Sequence, residues 1–541
     1  MQNRRQFITS TLAAGSAAAL YPVRVFGSRY KTAIDSFGVH DFISKNPEAV
    51  FIMRTNVDVK TNAEEKVQAG KAFSQSVFVP LSQEEGGVPL THRVAIKPNL
   101  TWAQKTNKKA TLEGCRGIVT DPEFVEGVIE GMKMLGLPGG QFYTRDKWSY
   151  SGSDSQLDFT GYSAMSERTG ADIGGAEQST KAQSIGSEYV VWKEVPNGVF
   201  FVRIPYLWPI NSPDSFLINI SKFKAHGMGI TLCAKNLQGS IATPYVSHCS
   251  GWGADMKLIS GDVVPNTFAT IKEYYDRHVA DGIPRWDKPS GTISGINMET
   301  WVHRCLDNNS TLKPNLHVVE GVYGRDGNFV DGPGPGDLAQ DFMSNIIIFG
   351  KNPFNVDIIG HWLAGHEPGN FGLFHIAIER GLSTRLNPMD IPVYEWKADG
   401  SATLTPLTSF DRTPLLTYYM QRNYNGQDEA YWHMADEPFD YPPIQTRVQE
   451  QTKPSAIVLH QNHPNPFNPT TSIEYVLPNS GYVRLEIFNM RGQVVDVLVN
   501  GYRNRGSHMA VWNMNNHAAG TYLYRLRMGD YTETRKMTLL K

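Results

Sequence analysis

The sequence is poor in cysteine, and its four cysteines include no Cys-x-x-Cys pair. That absence excludes a zinc ribbon, a ferredoxin-type cluster run and a c-type haem attachment site. In an oxidising compartment the four thiols can form two disulfides in three alternative pairings, or they can remain isolated and buried. The sequence does not choose among these alternatives for Cys115, Cys233, Cys249 and Cys305.

An excess of charge of one sign is also lacking, because 51 Lys and Arg residues nearly cancel 53 Asp and Glu residues. We therefore expect no nucleic-acid partner.

No segment beyond the amino terminus has about eighteen uninterrupted apolar residues, so we expect no integral membrane span. The chain contains neither a Gly-x-Ser-x-Gly elbow nor a Walker phosphate loop, two common signatures of hydrolases and nucleotide-binding proteins.

The amino terminus has the composition of a targeting peptide. Arg4 and Arg5 precede a small, apolar run over 13–20, with no acidic residue among them. This segment resembles a twin-arginine signal, which implies the twin-arginine translocase as a partner and export of a folded chain. An ordinary Sec signal with paired arginines is the alternative. Cleavage after Ala19 and cleavage after Gly27 are both compatible, and we assign residues 1–27 to the signal peptide.

Residues 28–385 show the pattern of an α/β core with a mainly parallel sheet. Asp121-Pro122 and Asn352-Pro353 have the form of a capping residue followed by proline at a helix start. Residues 386–454 have little periodicity, so we expect an irregular extension and linker there. Short apolar runs followed by helical periodicity predict four parallel strands near 94–96, 216–220, 316–319 and 345–349.

Polar and basic side chains stand where these strands end. Because ligands of open parallel sheets bind outside the carboxyl ends of the strands, these residues should line a site. Lysines there suit a small anion such as phosphate, sulfate or carboxylate, although solvated loop lysines are the alternative. Candidate ligand-binding residues are Lys97, Asn99, Lys224 and Asn236, and candidate catalytic residues are Lys222, His226 and Lys235.

Roles for some of these residues follow from their chemistry. His226 is the candidate for acid–base work, because the pKa of histidine lies near neutrality. The segment from Gly229 to Gly239 reads as a helix, which would place Lys235 on the same face as Thr231. Cofactor identity stays open, but a divalent metal bound by Glu320 and Asp357 could bridge to the anion.

Several motifs of the core occur together in an order that resembles the DUF362 family. They are Ile96-Lys97-Pro98-Asn99-Leu100, Thr120-Asp121-Pro122, Lys222-Phe223-Lys224-Ala225-His226, Lys235-Asn236-Leu237-Gln238-Gly239 and Glu320-Gly321. The resemblance runs from about 92 to 385 and implies a fold and site positions without an established reaction. Some members carry ferredoxin-like cluster motifs, which this chain lacks. Glu320 stands where Asp is common.

Residues 455–541 change to alternating strand patterns separated by Gly, Asn and Pro turns, as in an immunoglobulin-like sandwich. Phe488-Asn489-Met490-Arg491-Gly492 and Ala519-Gly520-Thr521-Tyr522-Leu523-Tyr524 resemble the C-terminal sorting domain of the type IX secretion system. That resemblance implies the type IX machinery as a partner and delivery to the cell surface or the extracellular medium. A carbohydrate-binding or adhesive sandwich is the alternative.

Together these observations predict an exported surface protein with a basic pocket for an anionic small molecule, acting as an enzyme with or without a metal. Two alternatives belong to other classes. One is a non-catalytic binding or scaffold protein, and the other is a redox accessory protein.

Overall fold

The chain divides into two compact units, Met1–Tyr441 and Pro442–Lys541. The signal peptide, Cys115 and Cys249 lie outside the described residues, so the predictions about them are not addressed. The computed structural model describes residues 35–101, 116–146, 156–174, 190–227, 229–242, 261–284, 295–418, 420–422, 429–432, 437–441, 457–462, 464–479, 481–503, 506–513, 518–529 and 531–540.

The first unit alternates strands and helices. Its described helices are α1 (Asp41–Lys45), α2 (Ala63–Val77), α3 (Pro122–Lys133), α4 (Gln156–Thr160), α5 (Tyr162–Thr169), α6 (Cys233–Asn236), α7 (Thr267–Ala280), α8 (Gly295–Thr311), α9 (Pro353–Leu363) and α10 (Gly372–Glu379). Its described strands are β1 (Ser36–Val39), β2 (Val50–Arg54), β3 (Phe78–Pro80), β4 (Val88–Pro89), β5 (Arg93–Pro98), β6 (Phe142–Thr144), β7 (Val190–Glu194), β8 (Arg203–Leu207), β9 (Ser215–His226), β10 (Gly229–Thr231), β11 (Leu316–Arg325), β12 (Asp341–Gly350), β13 (Val393–Trp396), β14 (Ala402–Leu404), β15 (Met420–Arg422) and β16 (Glu429–Trp432).

The central sheet has the order β14-β13-β2-β12-β11-β9-β5-β6, with β10 paired to β9. Strands β6, β5, β9 and β11 run parallel, which confirms the predicted α/β class with a mainly parallel sheet. The fourth predicted strand, β12, instead runs antiparallel to both β11 and β2. The reason is its connection, because a loop without a helix joins β11 to β12. Residues predicted to be an irregular extension contribute β13 and β14 to this sheet.

Helices cover both sides of the sheet. On one side, α2 packs closely on α3, where an added Cβ at Gly70 would clash with the backbone of Phe124. The side chains of Asp121 and Asn352 accept backbone hydrogen bonds at the starts of α3 and α9, as the capping patterns predict. Helices α6, α8, α9 and α10 pack on the opposite side, around a second buried apolar cluster. None of the described helices has the length and apolar character needed to cross a bilayer.

The second unit is entirely antiparallel in its described strands. These are β17 (Val458–Leu459), β18 (Thr470–Leu477), β19 (Gly481–Asn489), β20 (Val494–Arg503), β21 (Gly506–Asn513), β22 (Gly520–Met528) and β23 (Tyr531–Leu539). They form two sheets, β17-β18-β21 and β20-β19-β22-β23, that share one apolar core. This arrangement confirms the predicted all-β tail with the layout of a sandwich.

Candidate functional site

Strand β9 changes from apolar to basic along one of its sides. Alternate residues of a strand point to the same side, and Phe216, Ile218 and Ile220 enter the apolar cluster beneath α2 and α3. The next residues in that series are Lys222, Lys224 and His226, at the carboxyl end of the strand. All three are buried, with exposed fractions of 0%, 2% and 6%. The structure therefore brings three of the predicted site residues to one side of one strand.

Lys222 is held in a buried ion pair. Its Nζ lies 2.7 Å from Glu320 Oε2 and 3.4 Å from the centre of the Tyr323 ring. Glu320 also accepts hydrogen bonds from the backbone N–H groups of Asp121, at 3.2 Å, and Val322, at 3.1 Å. Burial raises the pKa of Glu320, and the neighbouring Lys222 ammonium opposes that rise. Lys222 and Glu320 therefore stabilise one another in a place that water does not reach.

A second buried ion pair lies beside the first. Lys66 Nζ on α2 lies 2.7 Å from Asp121 Oδ2 and 3.1 Å from Glu123 Oε2. Tyr323 donates its hydroxyl to the same Asp121 oxygen at 2.8 Å. Burial alone would raise the pKa of Asp121, but the Lys66 ammonium holds it below its usual range. Arg116 Nη1 approaches Glu123 at 3.4 Å and extends these contacts toward the surface.

We call this group of side chains, together with Lys224, the β9 charge cluster. Lys224 Nζ donates to the backbone carbonyl of Ile118. The ring of Phe329 lies 5.7 Å from Lys224 Nζ and meets the imidazole of His226 edge-on at 5.0 Å. The members of the β9 charge cluster are Lys66, Arg116, Asp121, Glu123, Lys222, Lys224, Glu320 and Tyr323.

Lys97 and Asn236 lie on the opposite side of the sheet. Lys97 Nζ contacts Asp146 Oδ2 at 2.6 Å and Asn236 Oδ1 at 3.2 Å. Burial lowers the pKa of Lys97, and the Asp146 carboxylate opposes that change. Asn236 also donates to Asn219 Oδ1 at 2.8 Å. Asn99 donates its side-chain amide to Asn236 at 3.0 Å, while its own buried Oδ1 has no hydrogen-bond partner within the described part of the chain.

The helix predicted from Gly229 to Gly239 does not form as one element. The segment is instead the short strand β10, the single-turn helix α6 and a 3-10 turn at Leu237–Ser240. Lys235 Nζ nevertheless approaches Thr231 Oγ1 at 3.4 Å. The first two N–H groups of α6 donate to the carboxylate of Asp357.

The proposed metal ligands are not brought together. Asp357 accepts hydrogen bonds from the backbone of Cys233, at 2.7 Å, and Ala234, at 2.9 Å, on the α6 side of the sheet. Glu320 lies on the other side, among the residues beneath α2 and α3. Burial raises the pKa of Asp357 to about 7. Within the described ranges, no three His, Cys, Asp or Glu side chains lie in an arrangement suited to a metal ion.

Two cavities border the side of the sheet that carries the β9 charge cluster. The smaller, about 90 Å³, includes Arg116 and Glu123 in its lining, at the start of α3. The larger is an open groove of about 450 Å³ between the end of β2 and the start of α2. The smaller cavity therefore reaches the outer edge of the β9 charge cluster.

Sequence reasoning missed three residues that contact the candidate site. Lys66, Asp146 and Tyr323 were not singled out, because each meets its partner across a separation of 55, 49 or 202 residues in sequence. Asp121 was read as a helix cap, a role that it does fill, and as part of the Thr120-Asp121-Pro122 motif, but not as the partner of Lys66. One feature of the sequence could have identified Lys66. It lies on the apolar side of an amphipathic helix, where a lysine is expected to be buried and therefore paired.

Comparison with known families decides what this core is. A family model described as a domain of unknown function, DUF362, matches residues 94–361. The core is a DUF362 domain. All the candidate site residues predicted from the sequence lie inside the matched range, whereas Lys66 lies before it. The β9 charge cluster thus joins the DUF362 domain to the preceding helix α2.

A second family model, the secretion system C-terminal sorting domain, matches residues 462–539. The protein is therefore exported to the cell surface or the extracellular medium by the type IX secretion machinery. No curated protein matches the chain in sequence. Among solved structures, PorZ, titled an essential surface component of the type IX secretion system of Porphyromonas gingivalis, matches at 11% identity and a TM-score of 0.13. That match covers 17% of this chain and 13% of PorZ.

Proposed function

We propose that this DUF362 protein captures a small anionic molecule, a phosphate, sulfate or carboxylate compound, at the carboxyl end of β9. The observation that carries the proposal is the placement of Lys222, Lys224 and His226 on one side of that strand. Ligands of open α/β sheets bind at this edge.

Lys224 is the residue that we expect to contact the anion. It lies between Lys222 and His226 in the series at the carboxyl end of β9, and its Nζ donates to the backbone carbonyl of Ile118. A hydrogen bond from its ammonium to an anionic oxygen would be of the stronger, charge-assisted kind. His226, next in the series, would add a donor beside the bound anion.

Capture is favoured over turnover because the three candidate catalytic residues do not converge. Lys222 and His226 share one side of the sheet, whereas Lys235 lies in α6 on the other side. A thiol-based redox role is disfavoured as well. The described thiols of Cys233 and Cys305 are free and fully buried, and burial raises the pKa of both. Thiols with raised pKa values react slowly as nucleophiles.

Calorimetric titration of the full-length protein with inorganic phosphate, sulfate, citrate and succinate tests this proposal. We expect at least one of them to bind wild-type protein, more weakly as salt increases. Lys224→Met should weaken that binding at least about tenfold, since a hydrogen bond to a charged group contributes about 1.5–3 kcal/mol. Lys133→Met is the matched control, because Lys133 lies on α3 and pairs locally with Glu130.

Two results would overturn the proposal. One is the failure of every anion to bind wild-type protein, and the other is equal affinity in the Lys224→Met variant. Nuclear magnetic resonance of each bound compound after incubation separates capture from catalysis. An altered compound would assign the site to an enzyme, with His226 as the first acid–base residue to replace.

A further inference from the structure

Three helices of the core meet at one buried histidine, far from the β9 charge cluster in sequence. His278, near the end of α7, places Nδ1 2.8 Å from Glu299 Oε1 on α8. Its other ring nitrogen, Nε2, lies 2.7 Å from Glu379 Oε2 at the end of α10. His278 is 1% exposed and Glu299 is fully buried. One imidazole therefore links three helices.

This geometry favours a charged ring. Ionised carboxylates only accept hydrogen bonds, so opposite two ionised carboxylates both nitrogens of His278 donate, and a ring with two N–H groups is an imidazolium. Arg277 Nη2 lies 3.3 Å from His278 Nε2 and opposes that charge. In a neutral ring one nitrogen lone pair would face a carboxylate oxygen at hydrogen-bond distance. Burial alone would lower the pKa of His278, but Glu299 and Glu379 outweigh it and the pKa is raised.

A second histidine shares the same carboxylate oxygen. His303 Nε2 lies 3.0 Å from Glu299 Oε1. Burial lowers the pKa of His303, so it donates to Glu299 as a neutral ring. Its Nδ1 is buried without a hydrogen-bond partner in the described structure, as expected for the acceptor nitrogen of a neutral imidazole.

Few side chains of α7 are buried. They are Thr267, Ile271 and His278, and the last of these lies near the carboxyl end of the helix. Tyr274 and Tyr275 are half-buried, and the Tyr274 ring packs on His303 of α8. In the last turn of α7 the buried residue is His278, so its ionic contacts contribute to holding that end of the helix.

Other charged groups surround His278. Arg277 contacts Glu379, the carboxylate that also faces His278 Nε2, at 2.5 Å, and Arg380 contacts Asp307 at 2.7 Å. The described titratable groups that face the two histidines from α7, α8 and α10 are Tyr274, Arg277, Glu299, His303, Asp307, His375, Glu379 and Arg380.

We propose that His278 is a pH-sensitive clamp that holds the end of α7 against α8 and α10 and releases it as the pH rises. Loss of one proton from His278 weakens its contacts with Glu299 and Glu379 at once. The clamp acts within the core and does not depend on the anion-capture proposal.

The direction of the pH effect follows from linkage. The folded state binds the His278 proton more tightly than the unfolded chain does, so its stabilisation is complete below the unfolded pKa of about 6.5 and is lost as pH rises through the higher folded value. His303 acts in the opposite sense, because its folded pKa is lowered. Its contribution is lost as pH falls through that lower value. The clamp is therefore strongest at pH values between the lowered folded pKa of His303 and the raised folded pKa of His278.

Hydrogen–deuterium exchange of the full-length protein between about pH 6 and pH 9, corrected for the intrinsic rate, tests the clamp. Peptides from α7 should lose protection as pH rises, with α8 changing less. His278→Gln should remove this pH-dependent step, whereas His508→Gln, in the second unit, should leave it unchanged. A wild-type α7 whose protection does not change with pH, or a His278→Gln variant with the same step, would overturn the proposal.

A milder variant keeps the test decisive if His278→Gln fails to fold. Glu379→Gln replaces the outer, half-exposed carboxylate and leaves Glu299 in place. An amide oxygen still accepts from Nε2 but stabilises the cation less, so the midpoint of the step should move to lower pH. An unchanged midpoint in Glu379→Gln would refute the clamp.

Discussion

Removing the ammonium of Lys222 should destabilise the core more than removing any surface lysine. Lys222→Met leaves the fully buried carboxylate of Glu320 with two backbone N–H donors and no cation. Breaking a buried ion pair from one side costs about 3–5 kcal/mol. Lys133→Met, on the outer side of α3, should change the free energy of unfolding by less than about 0.5 kcal/mol.

The double variant Lys222→Met with Glu320→Gln separates charge from packing. A glutamine oxygen can accept from only one of the two backbone N–H groups, so Glu320→Gln alone is also costly. With both charges gone, no unpaired ion remains, and the double variant should lose less than the sum of the single losses, by about 0.5–3 kcal/mol.

Urea unfolding of the full-length protein, followed by hydrogen exchange in peptides from β9 and β11, measures these losses without contribution from the second unit. The loss in Lys222→Met should shrink in acid, because burial raises the pKa of Glu320 and protonation removes its charge. A loss below about 1 kcal/mol in Lys222→Met, or strictly additive losses in the double variant, would refute the reasoning.

Three further predictions concern other parts of the chain. Gly239→Ala should cost about 1–3 kcal/mol in thermal or urea unfolding, because its Cβ would lie 2.8 Å from Lys97 Nζ; Gly140→Ala, whose Cβ meets nothing within 4 Å, is the neutral control. The raised pKa of Asp357, about 7, means that the folded state retains its proton, so the free energy of unfolding should fall as pH rises from about 4 to about 7. Asp357→Asn should flatten that slope, and an unchanged slope would contradict the assignment. Deleting residues 455–541 should leave the core in the periplasm in cell fractionation, and unchanged surface display would show that the tail does not direct sorting.

Local sequence patterns predicted the elements whose formation depends on interactions between residues close together in sequence. The capping residues Asp121 and Asn352 start α3 and α9 as expected, because a side-chain cap and a following proline act within one turn. The strands of the second unit follow their alternating pattern for the same reason. The direction of β12 could not be predicted this way, since a strand pattern is the same in either orientation and only pairing distinguishes them.

The features of the candidate site also fall into two groups, those that local sequence predicts and those that depend on the tertiary structure. The sequence by itself determined which basic residues stand at the strand ends, because strand boundaries follow from composition and period. Only the tertiary structure decided that Lys222 and Lys97 lie on opposite sides of the sheet, since one residue of register reverses the side. It also decided that Glu320 and Asp146 neutralise them, at separations of 98 and 49 residues in sequence. Ion pairing depends on distance through space, which the order of residues along the chain does not specify.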